Sequence, residues 1–228
     1  MKKVAILQSN YIPWKGYFDL ISAVDEFIVY DEMQYTKNDW RNRNKIKTVK
    51  GVEWLTIAVR IESLSQKINE TQVFADNWAT KHTKTLQANY AKAECFAQTK
   101  DFIFGLYDEA AKTKLLSEIN FIFISGICEF LGIDTKLSFS TDYGMIEGKT
   151  ERLVDLCQKA GATHYLSGPA AKNYLDESLF DKNDIAVQWM DYSGYNPYGQ
   201  LFPPFEHGVS IIDLIFNEGA NARKFMKY

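Results

Sequence analysis

The sequence predicts an α/β fold: a mainly parallel sheet flanked by helices, with a helical insertion. Three observations carry this. Apolar runs short enough to be buried strands recur near both ends of the chain, for example "VAIL" from Val4 and "FIVY" from Phe27. Amphipathic segments with apolar residues at helical spacing separate them. The first strand, helix and strand fit within about thirty residues, the length of a βαβ unit, so the two strands pair in parallel. No repeat, low-complexity stretch or linker interrupts residues 1–228, which read as one domain with a helical insertion at about 75–135.

The elements follow in order. Residues 3–8 form the first strand, and Phe18, Leu20, Ile21 and Val24 mark a helix over 16–24. Residues 27–31 form the second strand. A polar excursion, 31–53, precedes an expected third strand at 54–60, "WLTIAVR". Loops of that length in a compact domain usually carry function. Residues 77–90 and 102–131 read as helices, the second closed by Gly132. "KLSFSTD" is a short strand, "KTERLVDLCQKAGA" a helix closing at Gly161, 163–167 a strand, 173–185 a helix, and 186–192 a strand. The tail from Ser210 is a helix broken near Gly219. Residues 3–8, 27–31, 163–167 and 186–190 are expected as neighbouring strands.

Composition excludes several classes. Net charge is −3 and the pI about 5.7, unlike a surface that grips nucleic-acid phosphates. No stretch approaches the roughly 18 apolar residues of a membrane span. The apolar run of four after "MKK" is too short for a secretory signal, so a cytoplasmic location without membrane insertion is expected. Cys95, Cys128 and Cys157 lack CxxC spacing and read as buried thiols, and no metal site is expected.

Two polar-aromatic stretches lie just after strand ends, where parallel sheets hold ligands. The first, "QSNYIPWKGY", offers Gln8, Tyr11, Trp14 and Tyr17 as cleft walls at the start of a helix whose amino end attracts anions. Core packing is the alternative for Trp14 and Tyr17. The second, "YDEMQYTKNDWRNRNKIK", mixes the cations Lys37, Arg41, Arg43 and Lys45 with Gln34, Tyr35, Asn42 and Trp40. Arginine forks bind carboxylates and phosphates bidentately, and aromatic rings stack on bases or sugars. A Tyr- and Pro-rich loop adds Tyr198 and Gln200 before a helix carrying Asp213. For a proton acceptor, elimination leaves His82 and Asp31.

"QSNYIPWKGYFDLI", "VYDEMQYTKNDWRNRNKIK", "WLTIAVR", the helix with Trp78, His82 and Tyr90, and "SIIDLIFNEG" together resemble the WbqC-like protein family across nearly the whole chain. The resemblance implies a place in bacterial surface-polysaccharide, especially O-antigen, biosynthesis, and a transferase that passes an acyl or aminoacyl (glycine) group to a sugar. It also implies a sugar or nucleotide-sugar ligand, nucleotide-linked or amino, and a nucleotide or nucleotide-activated donor as cofactor. The opening is also similar to that of nucleotidylyl transferases and pantothenate-synthetase-like ligases, which implies a Rossmann-type arrangement. Trp14-Lys15-Gly16-Tyr17 stands where those enzymes have HxGH. With both histidines replaced, charge stabilisation there would fall to Lys15, Arg41, Arg43 or Lys45. The alternatives are a non-catalytic protein that binds a nucleotide sugar or phosphate ligand, and a nucleotidylyl transferase or amide ligase with a degenerate HxGH motif.

Overall fold

A strand buried on both faces needs apolar residues at every position. β1 (Lys3–Leu7) has them: Val4 and Ile6 face one side, Ala5 and Leu7 the other. The computed structural model, which describes residues 1–144 and 146–228, places β1 at the centre of a five-stranded sheet. The order is β7 (Lys136–Phe139), β2 (Glu26–Val29), β1, β8 (His164–Ser167) and β9 (Ala186–Trp189). All four pairings are parallel. Counted along the sheet these strands run 3-2-1-4-5, the Rossmann-type order, and the direction of winding reverses between β1 and β8. The expected neighbours are neighbours, and the α/β class stands.

Each face of the sheet is covered by its own apolar cluster. On one, Val4, Ile6, Ile28 and Tyr165 meet α5 (Thr150–Lys159) and α6 (Glu177–Asp181), with Tyr165 stacked on Phe180 at 5.1 Å. On the other, Ala5, Phe27, Val29 and Leu166 meet α1 (Lys15–Ser22), α2 (Trp78–Tyr90), α3 (Phe96–Ala110), α4 (Leu116–Leu131) and α7 (Ile211–Glu218). Helices α2 to α4 occupy the stretch expected as the insertion. Gly132 ends α4 at φ 65°, a left-handed conformation that glycine enters without a Cβ penalty.

Glu26 starts β2 with no solvent exposure. Its carboxylate takes Lys2 Nζ at 2.7 Å, Lys136 Nζ at 3.0 Å, Ser138 Oγ at 2.7 Å and the Tyr143 hydroxyl. Burial alone would raise this carboxyl, but those hydrogen bonds prevail and hold it at about 2.

The stretch 43–60 departs from expectation. Residues 54–60 do not join the main sheet. β4 (Gly51–Thr56) pairs antiparallel with β3 (Arg43–Thr48), and β5 (Val59–Arg60) pairs with β6 (Gln72–Val73). β3 is hard to see because its buried face presents Asn44 and Thr48 beside Ile46, so no polar–apolar alternation appears. The third helix begins at Phe96 rather than near 102. Within 173–185 the only α-helix is α6, five residues long, which follows a 3-10 turn over Pro169–Asn173. Cys128 and Cys157 are buried, while Cys95 is only partly so.

Candidate functional site

The turn after β1 is pinned from inside. Tyr11 has no exposure, and its hydroxyl lies 2.7 Å from His82 Nδ1 and 2.7 Å from the Tyr107 hydroxyl. His82 Nε2 lies 3.1 Å from the Thr56 carbonyl, which can only accept, so Nε2 carries the proton. Nδ1 then accepts from Tyr11, and the Tyr11 oxygen accepts from Tyr107. Burial drops the His82 pKa to about 4, against the pull of the Thr56 hydrogen bond. His82 borders neither of the two pockets beside this turn, and both of its nitrogens are engaged. The free base expected at this position is instead an anchor for the turn.

Asp31 is a second anchor. It is buried and accepts from Ser9 N at 2.8 Å, from Ser9 Oγ at 2.7 Å and from Ser117 Oγ on α4. Asn120, also on α4, donates to Ser9 Oγ and to the Arg41 carbonyl, both at 2.9 Å.

Arg41 is a third. Its guanidinium donates to the Ser9 carbonyl at 3.1 Å, to Gln8 Oε1 at 2.9 Å and to Asn10 Oδ1. A guanidinium has no acceptor atom, so both amide oxygens must point at Arg41. The NH₂ groups of Gln8 and Asn10 are thereby left for other partners. Gln8 and Asn10 border different pockets, one on each side of the turn.

The first pocket is a crevice of about 290 Å³ at the carboxyl ends of β1 and β8, the point where the winding reverses. Ile6, Tyr30, Leu153, Tyr165 and Leu175 give it an apolar floor, and Gln8, Lys149, Thr150, Arg152 and Ser167 give it a polar rim. Thr150 is the first residue of α5, whose opening amides and positive dipole end favour anions. Arg152 donates Nε–H to the Ile146 carbonyl at 2.8 Å. Neither Lys149 nor Arg152 forms a salt bridge among the described residues.

The second pocket, about 270 Å³, lies between the turn and residues 40–44, and is bordered by Asn10, Pro13, Trp14, Trp40, Asn44 and Gly208. Trp40 tilts against Trp54 at 5.2 Å, Arg43 stacks on Trp54 at 4.1 Å, and Lys45 Nζ stands 5.8 Å from the Trp40 ring centre. Trp14 packs on Tyr192 at 5.2 Å and lies across Gly16.

The remaining expected residues are dispersed. Tyr17 is buried and donates to the Gln8 carbonyl at 3.0 Å. Gln34 and Lys37 are exposed, and Gln34 donates to the Leu64 carbonyl. Tyr35 is buried, and Asn42 donates to the Ile57 carbonyl at 2.7 Å. Tyr198 and Gln200 both donate to Asp213 Oδ1, at 2.6 and 2.8 Å, and fasten their loop to α7. Lys149, Thr150, Arg152 and Ser167 are absent from the expected set. Their signal was the strand at 163–167, whose carboxyl end marks a ligand position as surely as that of β1.

The fold and crevice define a class: an α/β protein with a Rossmann-type sheet and an anion-favouring crevice at its switch point. Within that class, the family model for the WbqC-like protein family matches residues 8–225, and the chain belongs to that family. It is 52% identical to the uncharacterized protein Rv1507c of Mycobacterium tuberculosis, over all of this chain and 99% of that protein. No solved structure matches it. No helix among the described residues is long and apolar enough to cross a membrane.

Proposed function

We propose that the chain is a transferase that holds a phosphorylated donor of the nucleotide or nucleotide-sugar class in the switch-point crevice. The observation that carries this is the crevice itself: an apolar floor for a base or ring, and a rim of Lys149, Arg152, the Gln8 amide and the α5 amino end for phosphate oxygens. Preorganised donors of this kind stabilise the charge that develops on a departing phosphate or carboxylate. Family membership supports acyl or aminoacyl (glycine) transfer to a sugar in surface-polysaccharide biosynthesis as the reaction. It fits a cytoplasmic location, where activated donors are made. In this reading Asp31, His82 and Arg41 hold the turn, and the rim cations bind the donor.

One observation favours a binding protein without turnover: among the described residues, no His, Asp or Glu borders either pocket. Both readings require the crevice to bind a nucleotide. The test is calorimetric titration with ATP and with a uridine-diphosphate sugar. One of them should bind, and Arg152→Ala should weaken it by about 10- to 100-fold, as expected for a charge-assisted contact. Absence of binding by both, or equal binding by the variant, would overturn the crevice assignment. Product formation in the presence of an acceptor then separates transferase from binding protein.

A further inference from the structure

The second pocket lies on the other side of the turn from the crevice, and the donor reading leaves it without a role. Trp40 keeps 39% of its surface exposed and borders the pocket, so part of its indole can meet a ligand there. Trp14 and Pro13 add apolar wall. The polar groups are one-sided. Asn44 has no donor to spare, since its NH₂ donates to the Tyr11 carbonyl at 3.1 Å and the Ile12 carbonyl at 3.0 Å, and its oxygen already accepts from Lys45 N at 2.8 Å. Asn10 has its oxygen turned to Arg41 and so offers a donor. Lys45 stands over the Trp40 ring, and neither it nor Arg43 forms a salt bridge among the described residues. Among the described residues no acidic side chain borders the pocket.

We propose that this pocket is a second ligand site, and that it takes a single ring bearing a carboxylate. Stacking on Trp40 accounts for the ring, and the Asn10 donor, with the Lys45 charge beside Trp40 just outside the lining, accounts for the anion. A volume of about 270 Å³ suits one ring rather than a chain of them. A neutral polyol would need side-chain acceptors as well as donors, and among the described residues the two on this lining, Asn10 Oδ1 and Asn44 Oδ1, each already accept a hydrogen bond. The shared chemistry, a cyclic acid, has two sources: a uronic-acid sugar or an aromatic acid. In the transfer reading this ligand is the acceptor; that role rests on the proposed function, whereas binding itself does not.

The experiment titrates glucuronate, benzoate and glucose separately into the protein without nucleotide, following tryptophan fluorescence and amide chemical shifts. At least one acid should saturate and perturb residues 10–14 and 40–45, and glucose should bind at least tenfold more weakly than that acid. Which acid binds identifies the source. Trp40→Ala should weaken the acid about tenfold, in line with the worth of stacking on one aromatic ring. Lys45→Gln should weaken it about fivefold and flatten its salt dependence. No binding by either acid, glucose binding as tightly as the acid, or unchanged binding by both variants would overturn the proposal. Trp40 is partly exposed and outside the two core clusters, so the variant should fold, and its retained nucleotide affinity checks this. Acid binding without nucleotide binding would sink the crevice assignment alone; nucleotide binding without acid binding would sink this one alone.

Discussion

A histidine held neutral by burial ties stability to pH. His82 titrates near 6.5 when unfolded and at about 4 when folded. Between those values the unfolded chain binds more protons, so stability falls as pH falls from 6.5 towards 4. The full loss across that window is about 3 kcal/mol. Urea titrations at pH 7 and pH 4.5 should show it, and His82→Leu, less stable at neutral pH, should have lost most of that slope. Lys15 runs the same way, in a more alkaline window. It is buried beneath Tyr195 and Tyr198, 4.7 and 5.3 Å from their ring centres. Burial lowers its pKa to about 8, with Asp19 opposing. Between pH 8 and 10.5 the unfolded lysine holds a proton the folded one has released, so stability should rise with pH in that window. Lys15→Met should abolish the rise. At this scale the sequence singled out residues that the fold gathers at one turn, but not the contacts they make there. Tyr11, Asp31, Arg41 and His82 all sit around the turn, but as its supports. A side chain's direction depends on partners far along the chain, such as Tyr107 and Ser117, and no local pattern reports them.

At the scale of elements, α1 and its approach act as one piece. A Cβ on Gly16 would come within 2.3 Å of the Trp14 indole, so Gly16 lets that ring lie flat on the helix start. Gly16→Ala should cost about 1–3 kcal/mol, the usual cost of overpacking, and should push Trp14 away from its wall of the second pocket. Denaturant midpoints would give the first number, and a changed indole emission the second. The hairpin of β3 and β4 shows where legibility ended. Arg43 and Lys45 lie along Trp54 on its outer face, so the cations that looked like free ligand binders also form part of a packed surface. The helix over 150–159 was legible as a helix, from its spacing and Gly161. Its amino end could be recognised as a rim only once β8 was placed beside β1.

For the whole molecule, the parallel sheet was the most legible feature. Apolar runs at residues 3–8, 27–31, 163–167 and 186–190 have few other ways to be buried, and the first βαβ unit sets their direction. Glu26 gives this sheet a measurable acid limit. Its carboxyl is held at about 2 in the folded state, against about 4.3 unfolded, so its contribution is whole above the unfolded value and drains away as pH falls towards 2. Glu26→Gln should cost about 1–3 kcal/mol at pH 7 by leaving Lys2 and Lys136 without their partner. It should cost little at pH 2.5, and thermal melts at the two values would read the difference.

The central place of β1 also dictates a timetable for synthesis. β1 pairs with β2 almost as soon as both emerge, but its other edge waits for β8, and Lys2 must find Thr163 across 161 residues. At a ribosomal pace of about 5–20 residues per second, that edge stays open for on the order of ten seconds. An unpaired apolar edge is a template for wrong pairing, so the nascent chain is most vulnerable over that interval. Chains arrested before residue 163 should be insoluble or chaperone-bound. The crevice between β1 and β8 does not exist until the late strand arrives, so no ligand can protect the chain during the exposed period.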